Sequence, residues 1–233
     1  NTELEAHLPA FNKAFEDFNL NWNWDTSTYI ELLSVNGGKN RISYYSTIIN
    51  AYISNEVLTK IHERKQYHYI SLVKKNKVIS LKTGVYRLIQ ELNKKNIRQF
   101  IVTSSSKKQA NLLIKQLFTE FNPFEFIIAS DDVKLHKPSP LPYLKAMKLS
   151  GIKYNKSIVF EDSSSGLRSS LAANLPTIYI PSNIPIHIDE DIDFDCFLDT
   201  LGSESYRATV IKGPKLESKF VDFTYLDKFL MNF

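Results

Sequence analysis

At 233 residues, 43% of them apolar and 12% aromatic, the chain is long enough to bury a sizeable core and suits one domain with an insertion or two small ones. A net charge of +4, with the lysines spread along the chain, argues against a nucleic-acid partner. No apolar stretch approaches the roughly 18 residues of a membrane span, no secretory signal is visible, and a lone cysteine, Cys196, excludes an internal disulfide and fits a reducing compartment such as the cytoplasm.

From Thr2 to about Ser80 the pattern is nearly all helical. Leu4, Leu8, Phe11, Phe15 and Phe18 recur at three- and four-residue steps, the mark of an amphipathic helix, with Pro9 as a point where it kinks. The stretch Asn19 to Asp25 breaks the pattern, and Asp25 or Thr26 is placed to cap a helix carrying Tyr29, Ile30, Leu32 and Leu33. Asn36-Gly37-Gly38-Lys39-Asn40-Arg41 reads as a loop leading into another helix. Paired glycines let a ligand approach the main chain, and two cations at a helix N-terminus suit an anion; a plain turn is the alternative. A helix over about Glu56 to Lys75 follows, with His62 and Lys65 near one face. The basic run Lys74-Lys75-Asn76-Lys77 reads as its solvated end.

After Gly84 the texture changes to alternating helices and buried strands. Helices are predicted around Val85 to Leu92, Lys108 to Phe121 and Leu141 to Leu149, and strands over Gln99 to Thr103, Phe124 to Ile128, Ser157 to Phe160, Pro176 to Ile180 and Asp195 to Leu198. Such alternation predicts an α/β fold with a doubly wound parallel sheet, residues 81–233, preceded by a helical domain, residues 1–80. The tail from Gly202 carries a candidate strand at Ala208 to Ile211 and a candidate helix at Thr224 to Leu230.

Three of the strands end in chemistry. The first runs into Thr103-Ser104-Ser105-Ser106-Lys107, hydroxyls and N–H groups at a helix start that suit phosphate or simply cap the helix. After the second comes Lys137-Pro138, where the proline biases the lysine toward extended geometry, aiming an ammonium at an anion or leaving it in solvent. The central strand, Ile158-Val159-Phe160, ends in Glu161-Asp162-Ser163-Ser164-Ser165-Gly166. Ligands bind outside the carboxyl ends of the strands of an open α/β sheet, and two acids there suit Mg²⁺. Helix capping by Asp162 is the competing explanation.

Ser104, Lys137-Pro138 and Glu161-Asp162-Ser-x-x-Gly resemble the second, third and fourth motifs of the haloacid-dehalogenase superfamily of phosphohydrolases. Thr2-Glu3, His7, Ala10-Phe11-Asn12 and Gly37-Gly38-Lys39-x-Arg41 resemble the helical cap of its CbbY-type sugar-phosphate phosphatases. The resemblance implies a Rossmann-like core with an all-helical cap, a monomer, and a cytoplasmic or plastid-stromal setting. It also implies a Mg²⁺-dependent reaction through an aspartyl-phosphate on a small sugar phosphate, xylulose 1,5-bisphosphate in particular. Residue by residue, it makes Ser104 and Lys137 catalytic and Glu161 and Asp162 metal ligands. Glu3, His7, Gly38, Lys39, Arg41, Lys65, Ser105 and Ser106 become substrate-binding. The family's first motif, Asp-x-Asp-Gly at the end of the first strand of the core, supplies the nucleophile and is expected just ahead of Asn1. As it stands, the chain is expected not to hydrolyse phosphate, and to have a weakened core if that strand is gone. A β-phosphoglucomutase-like mutase and a non-catalytic binding protein are the competing functions.

Overall fold

A computed structural model describes residues 2–75, 79–182 and 192–233, and the chain divides into two compact units, residues 1–80 and 81–233. The last two residues of the Lys74–Lys77 run fall outside the described residues; Lys74 and Lys75 end their helix exposed.

The first unit is helical: a π-helical turn Glu3–His7, then α1 Leu8–Asp17, α2 Thr26–Leu32, α3 Gly38–Ile48 and α4 Asn55–Lys75. Pro9 lies inside a helical run that continues from Thr2 to Asp17, and the winding changes from π to α beside it, where its missing N–H leaves a carbonyl of the preceding turn without a donor. The apolar faces meet around Phe11, Phe15, Trp24, Tyr29, Ile42 and Ile61. Trp24 packs with its ring 4.7 Å from that of Phe11 and 4.9 Å from that of Phe15. Asn12 pins the intervening loop by donating to the Trp24 carbonyl and accepting its N–H, both at 2.8 Å. Asp25 caps α2, accepting the Thr28 N–H at 2.7 Å. The expected loop at Asn36–Arg41 is shorter than its composition suggested. Gly37, at φ +88°, is the cap residue, and Gly38, Lys39 and Arg41 already lie in the first turn of α3.

The second unit runs α5 Val85–Lys94, β1 Gln99–Val102, α6 Lys107–Leu117, β2 Phe124–Ile128, α7 Leu141–Ser150, β3 Val159–Glu161, α8 Ser164–Ala172, β4 Thr177–Tyr179, β5 Cys196–Leu198, β6 Val210–Lys212 and α9 Phe223–Leu230. Its strands are parallel except β6, which pairs antiparallel to β5. They form two ladders among the described residues, β1–β2 and β3–β4–β5–β6, so the expected sheet is interrupted between β1 and β3. Every residue of β1 stays half-buried, as befits a strand with one edge unladdered.

The tail beyond Gly202 belongs to the core. Val221, Tyr225, Leu226 and Phe229 pack with Leu88, Leu92, Ile178, Cys196 and Leu198. Gly84 makes this possible: a Cβ on it would lie 2.3 Å from the Gly202 carbonyl oxygen. Cys196 is fully buried, and burial raises its thiol pKa, which keeps it inert.

Candidate active site

In the α/β unit one ammonium joins two strand tips. Lys137, reached through the loop after β2 and joined to Pro138 by a cis peptide, donates to the Val102 carbonyl at the end of β1 at 2.9 Å. The same Nζ forms an ion pair with Glu161 Oε1 at the end of β3, and both side chains are nearly inaccessible, at 8% and 5%. The Tyr143 hydroxyl, on α7, donates to the same Glu161 oxygen. Burial raises the Glu161 pKa, and Lys137 with Tyr143 opposes that rise. Burial and the neighbouring Glu161 charge push the Tyr143 hydroxyl well above its ordinary value.

The glycine of the acid motif has a physical reason. A Cβ on Gly166, in the first turn of α8, would lie 1.8 Å from Glu161 Oε2, so only glycine admits that carboxylate against the helix. The cap of α8 is Ser163, whose hydroxyl accepts the Gly166 N–H at 3.2 Å. Asp162 is therefore not needed as a cap. Its side chain is 61% exposed, and its nearest cation is Lys82, 4.0 Å away and anchored at 2.9 Å on the Pro181 carbonyl. Tyr179, opposite Glu161 on β4, has a buried hydroxyl with no partner among the described residues, and burial with the two acids lifts its pKa to about 12.

In the serine cluster the capping alternative holds for Ser106. Ser106 is a helix cap: its hydroxyl accepts the Gln109 N–H while Gln109 Oε1 accepts the Ser106 N–H at 3.2 Å, a reciprocal capping box. The Lys107 N–H goes to Asp131 at 2.9 Å, and the Ser105 N–H to the Thr103 hydroxyl at 3.1 Å. The start of α6, expected to be open to phosphate, is thus largely satisfied from within. Ser104, two residues beyond the Val102 carbonyl that Lys137 holds, remains exposed. Glu161, expected to serve the metal directly or through water, has one oxygen committed to Lys137 and Tyr143, leaving Oε2 beside Gly166.

The helical unit gathers a second group. Lys65, on α4, is 4% exposed, and its Nζ lies 2.7 Å from His7 Nδ1. Glu3 accepts from the Tyr29 hydroxyl, which also receives Arg41 Nη1 at 3.3 Å. Arg41 Nε holds the Val35 carbonyl at 3.1 Å, and Lys39 holds the Thr59 hydroxyl at 2.7 Å. Gly38 faces His62, whose Nε2 would be 2.9 Å from an added Cβ. Among these groups Glu3 is the only acid, so the cluster is net basic. All six helical residues singled out in the sequence fall in it. Tyr143, Tyr179 and Lys82 were not singled out in the sequence, because each reads there as an ordinary core or surface residue.

A family model described as haloacid dehalogenase-like hydrolase matches residues 1–180. The chain belongs to that family. It is 32% identical to Protein CbbY of Rhodobacter capsulatus over 180 residues, 76% of this chain and 79% of the relative. The crystal structure of CbbY from Rhodobacter sphaeroides in complex with phosphate superposes with a TM-score of 0.78 at 30% identity, over 86% of this chain and 88% of that one. An Asp-to-Asn variant of the same protein with xylulose-(1,5)bisphosphate also gives 0.78, over 88% and 92%. A β-phosphoglucomutase from Clostridium difficile shares the fold, with a TM-score of 0.70 at 19% identity, over 97% and 90%. The chain is thus a CbbY-type haloacid dehalogenase-like enzyme, a phosphoric monoester hydrolase by family, with the expected α/β core. Among the described residues no helix is long and apolar enough to cross a membrane.

Proposed function

We propose that this polypeptide serves a Mg²⁺-dependent phosphatase acting on a small sugar bisphosphate, with xylulose 1,5-bisphosphate as the leading candidate. The observation that carries the reading is the Lys137 ammonium, which ties the tip of β1, beside Ser104, to the tip of β3, beside Asp162. A phosphoryl group there would meet the Ser104 hydroxyl as donor and the Lys137 ammonium as a fixed positive charge, stabilising the charge that develops during transfer.

Mg²⁺ takes oxygen ligands in an octahedron and is usually held by one or two carboxylates with waters and phosphate. Asp162, exposed and uninvolved in capping, and Glu161 Oε2 fit that role. No group of three or more His, Cys, Asp or Glu is gathered among the described residues, so the donor set suits an ion completed by water and phosphate rather than a closed cage. When bound, Mg²⁺ would offset phosphoryl charge. The nucleophilic aspartate that the family uses is not placed within residues 1–233, which on their own are proposed to bind substrate without releasing phosphate. The helical unit acts as the cap, and Lys39, Arg41, Lys65 and His7, with Gly38 and Glu3, hold the sugar or its second phosphate; that cluster's net charge supports the role. Arginine suits it because its planar fork pairs with two oxygens.

The test is calorimetric titration of residues 1–233 with xylulose 1,5-bisphosphate and xylulose 5-phosphate, with and without Mg²⁺. Tighter binding of the bisphosphate, strengthened by Mg²⁺, is expected; equal affinities would remove the second-phosphate assignment. Supplying an Asp-x-Asp-Gly strand ahead of Asn1 should turn binding into phosphate release, whereas a sugar-phosphate isomer as product would identify a mutase.

A further inference from the structure

Lys65 is a buried cation whose polar contact is an imidazole rather than a carboxylate. Its Nζ contacts His7 Nδ1 at 2.7 Å and lies 4.7 Å from the centre of the Phe11 ring and 5.5 Å from that of Tyr69. The His7 ring stacks on Tyr69 at 4.2 Å. The polar groups around the pair are Glu3 on the π-helical turn, Tyr29 on α2, Lys39 and Arg41 on α3, and His62 and Tyr69 on α4, while α1 offers the Phe11 ring. Only Glu3 among them is acidic, and the Tyr29 hydroxyl holds it.

An amine and an imidazole nitrogen at hydrogen-bond distance need one donor and one acceptor. If Lys65 is an ammonium, His7 Nδ1 must be bare; if His7 is an imidazolium, the amine must be neutral. Two positive charges on the pair would face each other across the contact in a dry, basic setting. Burial, with Arg41 adding to it against Glu3, lowers the Lys65 pKa to about 7, and His62 falls to about 4, mainly through burial. Burial and the neighbouring cations hold His7 well below its usual value.

We infer that a small dianion, a phosphate monoester or sulfate, binds beside Lys65 with uptake of a proton by the Lys65–His7 pair, so that the anion site of the helical unit is proton-coupled. This rests on the reading that the cluster holds a phosphate of the substrate. The proton comes from solvent, the amine is its acceptor, and the bound anion is the counter-charge the pair lacks.

Sulfate is the probe, because it stays a dianion across the range. Calorimetry in two buffers of different ionisation enthalpy counts the protons taken up. Uptake should approach about one per sulfate at pH 8.5 and fall below about 0.2 at pH 6, with affinity weakening about tenfold per pH unit above about pH 7. Lys65→Arg, with a permanent charge, should bind sulfate with no uptake and a flat profile. Uptake that is pH-independent in the unmodified protein, or identical in Lys65→Arg, overturns the inference. The buffer comparison on the unmodified chain stands even if the variant misfolds. If Arg41→Ala weakens sulfate binding but no proton is taken up, only the coupling fails. If Arg41→Ala leaves sulfate binding unchanged, the cluster does not hold the anion, and both the coupling and the functional reading of the helical unit fall.

Discussion

Among the described residues, Lys65 in the helical unit and Lys137 in the α/β unit both have side chains nearly closed to solvent, and the two are paired differently. The Lys137 side chain, 8% exposed, faces Glu161; Lys65, 4% exposed, faces an imidazole and two aromatic rings. A carboxylate partner fixes a charge inside the α/β unit, and that charge then organises two strand tips. An imidazole partner leaves the charge in the helical unit conditional on what else binds. Burial alone does not tell a structural cation from a responsive one; the partner does.

The largest effect should come from breaking the first arrangement. Lys137→Met leaves Glu161 buried with only Tyr143 beside it, and should cost about 3–5 kcal/mol in urea unfolding at pH 7. Burial already raises the Glu161 pKa, and losing Lys137 removes the main opposition to that rise. A raised acid binds more protons folded than unfolded, so stability declines as pH climbs through and above the ordinary glutamate range. The variant's deficit should therefore shrink at pH 4–5; a deficit constant from pH 4 to 8 would contradict the buried ion pair.

Gly166→Ala probes the same carboxylate from behind. The new methyl group displaces Glu161, at about 1–3 kcal/mol, and should weaken Mg²⁺-dependent ligand binding in parallel. Thermal unfolding and calorimetry together separate this from a plain surface glycine, which would show neither. In the helical unit, Arg41→Ala should weaken bisphosphate binding about tenfold while changing monophosphate binding much less. Similar losses for both ligands would place Arg41 away from the second phosphate.

The most gradual effect is a slope. Lys65 titrates near pH 7 when folded and near 10.5 when unfolded, so the unfolded chain binds the extra proton between those values. Stability should then rise with pH from about 7 to 10, by less than about 1.4 kcal/mol per unit, and Lys65→Met should abolish that rise. An unchanged slope in the variant would mean that Lys65 keeps its charge in the folded protein.

Much of this was legible in residue order. The strand Phe124–Ile128 lies where its apolar run places it, and Lys137 meets Glu161 at the end of β3. Three things were not legible, for physical reasons. Ser106 and Ser104 look alike in sequence, and only the Gln109 side chain, closing a reciprocal cap, separates them. Tyr143 reads as core on an apolar helix face, and its hydroxyl matters only because the fold brings Glu161 to it. Capping by Asp162 and capping by Ser163 are indistinguishable by pattern, since either side chain can serve, and the structure chooses Ser163.

The packing of α9 bears on how the protein is made. Phe229 and Leu226 share a core with Leu88 and Leu92, so the α/β unit cannot be sealed until residue 229 has left the ribosome. The helical unit draws its core from residues up to Val73 and is free to fold much earlier in synthesis. A nascent chain arrested with Gly202 just outside the exit tunnel should be protease-resistant in its first eighty residues and cleavable beyond them.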